Sequence, residues 1–93
     1  MVYFITQGNE YVKIGYTNGI PNKRLGELQV GNPHELSLRL LLFGDDRMER
    51  AMHEQFKQYH CRGEWYYLSH ELVEYIDSNI KSDLRLSNYF NML

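Results

Sequence analysis

Residues 2–17, VYFITQGNEYVKIGYT, decide the architecture. Val2 to Thr6 is dense in β-branched and aromatic side chains and reads as a strand. Tyr11 to Thr17 reads as a second, with Val12, Ile14 and Tyr16 alternating against Tyr11, Lys13, Gly15 and Thr17. Gln7-Gly8-Asn9-Glu10 between them is turn chemistry, so the two strands form a hairpin. Side chains alternate across a sheet, so loop length decides which residues share a face. A two-residue turn at Gly8-Asn9 would put Tyr3 and Lys13 on opposite faces. A three-residue turn, Gln7-Gly8-Asn9 with Asn9 left-handed, sets Tyr3 directly across from Lys13. It gathers Tyr3, Tyr11, Lys13 and Gly15 on one face and Val2, Phe4, Val12, Ile14 and Tyr16 on the other. The second arrangement separates polar from apolar residues better and is the one expected.

Outward from the hairpin, Pro21 suits the first turn of a helix and Gly31 the residue past its end. That helix turns Leu25 and Leu28 inward, with Arg24 on the margin. Leu36 to Phe43 becomes solidly apolar and reads as a central strand. A second helix is expected from Asp45 to Tyr59, with an apolar stripe of Met48, Ala51, Met52, Gln55, Phe56 and Tyr59. Trp65 to Leu68 reads as a short strand or extended segment. Ser69 caps a third helix, Leu68 stapling onto Val73, with Leu72, Val73, Ile76 and Ile80 as its buried stripe. The expected fold is α/β: a small three-stranded, mainly antiparallel sheet flanked by helices, in the order β-β-α-β-α-(β)-α. Residues 1–81 form the domain, and 82–93 an apolar tail that packs on the domain or on a partner.

Composition sets limits. The 93 residues fit one domain, and a domain this small hides only about 60% of the surface its unfolded chain exposes. A single cysteine, Cys61, excludes an internal disulfide and so a stapled secreted scaffold. The apolar start lacks a basic flank, and Arg39 breaks the longest apolar stretch, so the chain reads as cytoplasmic with no membrane partner. A formal charge of −2 does not suggest nucleic acid, whose binders are usually basic. Residues 11–62 nevertheless carry eight basic and six acidic side chains, against two and five in 63–93. Any phosphate-binding surface must therefore be local, drawn from Lys13, Arg24, Lys23, Arg39 and Arg50.

Phosphate-loop, paired-cysteine, zincin and nucleophile-elbow motifs are all absent. The second helix is more informative. With Met48 at zero and about 100° per residue, Glu49 falls near 100°, His53 near 140° and His60 near 120°. Glu49 and His53 are thus neighbours one turn apart at the border of the apolar stripe. A carboxylate shielded from water beside an imidazole can hold a divalent metal or poise an acid/base pair.

Val2-Tyr3-Phe4, then VKIGYT (12–17), RLGELQ (24–29), GNP (31–33), Glu49-x-x-x-His53 and GEWYYLS (63–69) together resemble the short, phage-associated branch of the GIY-YIG nuclease superfamily. The resemblance spans roughly residues 2–76. It implies a metal-dependent endonuclease that hydrolyses DNA phosphodiester bonds. Tyr3 matches the first-motif tyrosine, as general base or as the group orienting the attacking water. Lys13 stands where the second motif usually has tyrosine. Arg24 matches the helical arginine, and Glu49 the sole protein ligand of one Mg²⁺ or Mn²⁺ ion. His53 would be a second-shell or leaving-group residue, and the family's late asparagine has only Asn79 as a candidate. Gly15, Tyr16, Lys23 and Asn32 complete the expected nucleic-acid contacts, Gly15 by leaving room for the backbone of DNA. Two rivals remain at this point. One is a catalytically weak module of the same fold that binds nucleic acid or protein. The other is a small interaction or inhibitor protein whose tail makes a homodimer or partner interface.

Overall fold

The computed structural model describes residues 1–82. The hairpin forms first in the chain: β1 (Val2–Gln7) pairs antiparallel with β2 (Tyr11–Tyr16). Tyr3 lies opposite Gly15, and Ile5 opposite Lys13. The loop is therefore Gly8-Asn9-Glu10, one residue later than expected. Gly8 (φ 57°) supplies the left-handed position, because among the described residues none other than glycine has positive φ. A shift of one in both loop ends moves the register by two. Parity survives, so Tyr3, Lys13 and Gly15 still share a face, but Tyr3 is diagonal to Lys13 rather than directly across from it.

After α1 (Pro21–Gln29), β3 (Leu36–Leu42) adds to the other edge of β1. A bulge beside Phe4 and Ile5 leaves Arg39 as the extra, exposed residue. Next come α2 (Asp46–Gln55), a 3-10 turn (Lys57–Tyr59), β4 (His60–Arg62), β5 (Trp65–Tyr67) and α3 (His70–Ser82). The sheet has five antiparallel strands in the order β3-β1-β2-β5-β4, two more than the three expected. The added pair is the His60–Tyr67 hairpin. It turns at Gly63 (φ 56°), and the His60 ring Nε2 donates 2.8 Å to the Gly63 carbonyl. The second helix accordingly ends at Gln55 instead of running through Tyr59. The apolar tail expected after residue 82 lies outside the described residues.

Both faces of the central strands are buried. Tyr3, Phe4, Ile5, Val12, Ile14, Leu40 and Phe56 are all within 1% of full burial. Burying side chains of this size contributes roughly 1.5–3 kcal/mol each. On the Tyr3 face, α1 packs partly buried Leu25 and Leu28 against the core. On the Phe4 face, Tyr75 of α3 stacks with Phe4 and Phe56, at ring centroids of 5.8 and 5.3 Å. The α2 stripe is narrower than expected. Ala51 and Gln55 are exposed, and Met48, Met52 and Phe56 turn inward with Glu49 and His53 beside them. In α3, Leu72 and Ile76 are buried while Val73 is 38% exposed at the margin. Ser69 caps that helix as expected, its hydroxyl accepting from the Leu72 N–H at 3.2 Å. Among the described residues, no helix is long and apolar enough to cross a membrane.

Candidate active site

The site forms where β5 stops short of β2. Tyr11–Lys13 pair with Trp65–Tyr67, and the Ile14 N–H then reaches only as far as the Glu64 carbonyl, at 3.0 Å. Past Glu64, the Gly15 end of β2 has no β5 partner. Through this break α2, lying on the Phe4 face, approaches side chains that rise from the Tyr3 face.

Tyr3 is held by its surroundings from two sides. Its ring lies over Gly15, where a Cβ would overlap the phenol. Glycine at this position therefore makes room for Tyr3, a tighter demand than the expected approach of a DNA backbone. Arg24 Nε, arriving from α1, donates to the Tyr3 hydroxyl at 3.4 Å. Burial raises the phenol's pKa, opposed by Arg24 and assisted by the nearby carboxylates Glu64 and Glu49. Tyr3 is thus protonated at neutral pH. Because Arg24 is the donor in their bond, the phenolic proton remains free for another partner.

Lys13 is only 13% exposed at its side chain; its Nζ lies 3.4 Å from Glu64 Oε1 and 5.5 Å from the Trp65 ring centroid. Glu49 and His53 come from α2, whose start is fixed by Asp45. That carboxylate accepts from the Arg47 and Met48 N–H groups at 3.0 and 3.4 Å. His53 Nε2 stands 2.7 Å from the Ile14 carbonyl. A carbonyl only accepts, so Nε2 carries the proton, and in the neutral ring Nδ1 keeps the lone pair. Glu49, His53 and Glu64 each offer a ligand atom within 4.8 Å of the others, enough to hold a metal ion. Burial raises the Glu49 pKa first, and a hydrogen bond and like charge from Glu64 add to it, while His53 opposes. Two carboxylates this close favour a shared proton or a shared cation.

The structure thus brings together Tyr3, Lys13, Gly15, Arg24, Glu49 and His53, from four elements. The other expected residues stand apart. Lys23 is exposed in a hollow beside Arg24. Tyr16 lies opposite Val2, on the other face from Gly15. Asn32 uses its Oδ1 to accept from the His34 N–H at 2.9 Å, which closes the loop after α1. Asn79 Nδ2 donates to the Tyr75 carbonyl of its own helix at 2.8 Å. Arg50 pairs with Asp46, and Arg39 lines a separate hollow with Asp77.

Glu64 is the residue that sequence reasoning missed. GEWYYLS served there only as a recurring pattern, and a glutamate in a glycine turn carries no periodic signal. It enters the cluster because the β4–β5 hairpin pairs with β2. Among comparisons with known proteins, the model of the T5orf172 domain family matches residues 1–81. Neither the curated proteins nor the solved structures gave a match.

Proposed function

The chain belongs to the T5orf172 domain family, and from that premise we propose that it is a divalent-metal-dependent endonuclease hydrolysing DNA phosphodiester bonds in the manner of GIY-YIG enzymes. The observation that carries this reading is the meeting of Tyr3, Lys13, Arg24, Glu49 and His53, from four separate elements, at one break in the sheet. Pure packing does not require it. A carboxylate of raised pKa costs stability, and such costs cluster at functional sites.

The donor set fits a small hard cation. Glu49 and Glu64 supply carboxylate oxygens, the donors that Mg²⁺ and Mn²⁺ prefer, and their mutual repulsion is what a cation relieves. His53 would accompany Glu49, either as a nitrogen ligand or as a neighbour that keeps it ionised. When bound, the ion supplies charge neutralisation at a phosphate or leaving oxygen.

The chain's own groups divide the remaining work. Lys13 and Arg24 offer N–H donors to the non-bridging phosphate oxygens, where charge grows in the transition state. Tyr3, protonated and held by Arg24, orients the attacking water through its free O–H instead of acting as a phenolate. His53 Nδ1 offers a lone pair that can take up a proton from that water or from a neighbouring group. Burial of Lys13 strengthens its interaction with phosphate relative to an exposed lysine.

Supercoiled plasmid incubated with Mn²⁺ tests the reading. The parent chain should nick it, EDTA should stop the reaction, and Glu49→Gln and Arg24→Ala should each slow it by about 10²-fold or more. Equal nicking by all three proteins, or no nicking in either Mg²⁺ or Mn²⁺, overturns the proposal.

A further inference from the structure

The Tyr3 face of the sheet continues from the candidate site across β5 and β4, past the reach of α1. Lys13 pairs with Trp65 and Tyr11 with Tyr67 across the strands, and Arg62 pairs with Trp65 from β4, so these residues share one face. There a shallow hollow is lined by Gln7, Tyr11, Cys61, Arg62, Trp65 and Tyr67. Its composition is unlike that of the chain as a whole. Three of its six side chains are aromatic, one is a cation and none is acidic, in a protein of net charge −2.

The rings are displayed in part: Trp65 packs against the core and is half-buried, Tyr11 is half-buried, and Tyr67 is exposed. Tyr67 is 52% exposed, and its ring meets Tyr11 at a centroid distance of 5.7 Å and an angle of 38°. Trp65 is half-buried and carries Lys13 over its ring. Trp65 and Tyr67 stand about 7 Å apart along β5, as alternate residues of a strand do. Arg62 is exposed and has no ion-pair partner among the described residues. Aromatic rings that include an exposed tyrosine, beside an arginine without an ion-pair partner among the described residues, match what unpaired nucleotides require. Bases stack on rings whatever their sequence, and a cation meets the phosphates between them.

We propose that Tyr11, Trp65 and Tyr67 with Arg62 form a stacking platform for unpaired bases of a DNA strand entering or leaving the Lys13 cluster. The occupant follows from charge and continuity. The platform carries one cation and no carboxylate, and Lys13 of the candidate active site lies over its Trp65 ring. The inference deepens the nuclease reading and rests on it for direction. It implies a preference for frayed, flapped or single-stranded DNA over blunt duplex.

Trp65 is the chain's single tryptophan, so its fluorescence reports on this face alone. In EDTA, oligo-dT of about 20 nucleotides should quench Trp65 emission and bind at least tenfold more tightly than a blunt duplex of equal length. Tyr67→Ala and Arg62→Ala should each weaken single-strand binding about tenfold, and Tyr67→Phe should retain it, since stacking needs the ring and not the hydroxyl. Tyr67 and Arg62 are exposed, and both variants should keep the parent's circular dichroism spectrum. Single-strand binding without quenching, or unchanged affinity in Tyr67→Ala, overturns the platform. A concentration-dependent dimer abolished by Tyr67→Ala, with DNA binding unaltered, also overturns it and assigns the face to a second copy. These readouts use no cleavage. A platform that fails beside intact plasmid nicking leaves the nuclease reading standing, and quenching without any nicking separates the two the other way.

Discussion

At the scale of single residues, the Glu49–Glu64 contact is the most informative. Burial and the neighbouring carboxylate hold a proton on Glu49 more tightly in the fold than in the unfolded chain. A carboxyl raised in this way favours folding below its ordinary value of 4.5, and the benefit disappears as pH rises through the folded value. Above that folded value, and without metal, the Glu49 carboxylate beside Glu64 therefore works against the fold. Glu49→Gln should melt higher than the parent at pH 7 in EDTA by about 2–4 °C, on the ~0.5 kcal/mol typical of a partly solvated charge contact. The gap should close near pH 4, and Mn²⁺ should raise the melting temperature of the parent but not of the variant. Thermal melts at the two pH values, with and without Mn²⁺, check all three. A variant that loses nicking yet gains stability is the signature of a functional group held at a cost.

Among the elements, α2 and α3 cover the same sheet face but do different work. α2 carries Glu49 and His53, and α3 carries Leu72, Tyr75 and Ile76 into the core. Weakening the α3 cap with Ser69→Ala removes the acceptor for the Leu72 N–H. The expected loss is about 1 kcal/mol, or roughly 4–8 °C in Tm for a domain of this size, with plasmid nicking at 25 °C unchanged. A melt and a nicking time course on one preparation test this separation. The cap of α2 is tied to pH instead. A hydrogen bond from Arg47, joined by backbone N–H groups, lowers the Asp45 pKa. Its contribution is present above 3.8 and disappears as pH falls through the depressed folded value, so the cap of α2 weakens in acid.

For the molecule as a whole, the question is how a chain of net charge −2 meets a polyanion. Many of its exposed cations are already paired: Arg47 with Asp45, Arg50 with Asp46 and Lys57 with Glu54. Lys13 and Arg24 stand at the candidate site, and Lys23 is exposed in the hollow beside Arg24. A duplex held by about three phosphate contacts should show log K falling with log salt at a slope near −3. A titration between 50 and 200 mM salt gives that slope directly. A value near −8 would call for a far larger basic surface than the described residues carry.

The sequence by itself determined the hairpin, the side-chain parity that puts Tyr3, Lys13 and Gly15 on one face, and the helical spacing that puts Glu49 beside His53. Each depends on neighbours within about a dozen residues, and local periodicity with turn chemistry is enough to order them. It did not fix the register, because Gly8 and Asn9 both tolerate a left-handed backbone and only the packed sheet chooses between loops differing by one residue. Nor did it give Glu64 a place. That carboxylate stands 15 residues beyond Glu49 in a turn without pattern, and it meets Lys13 and Glu49 only because β5 pairs with β2 and then stops. Pairing between distant strands is set by which edge remains open and what can cover it, a property of the assembled sheet that no local stretch of sequence contains.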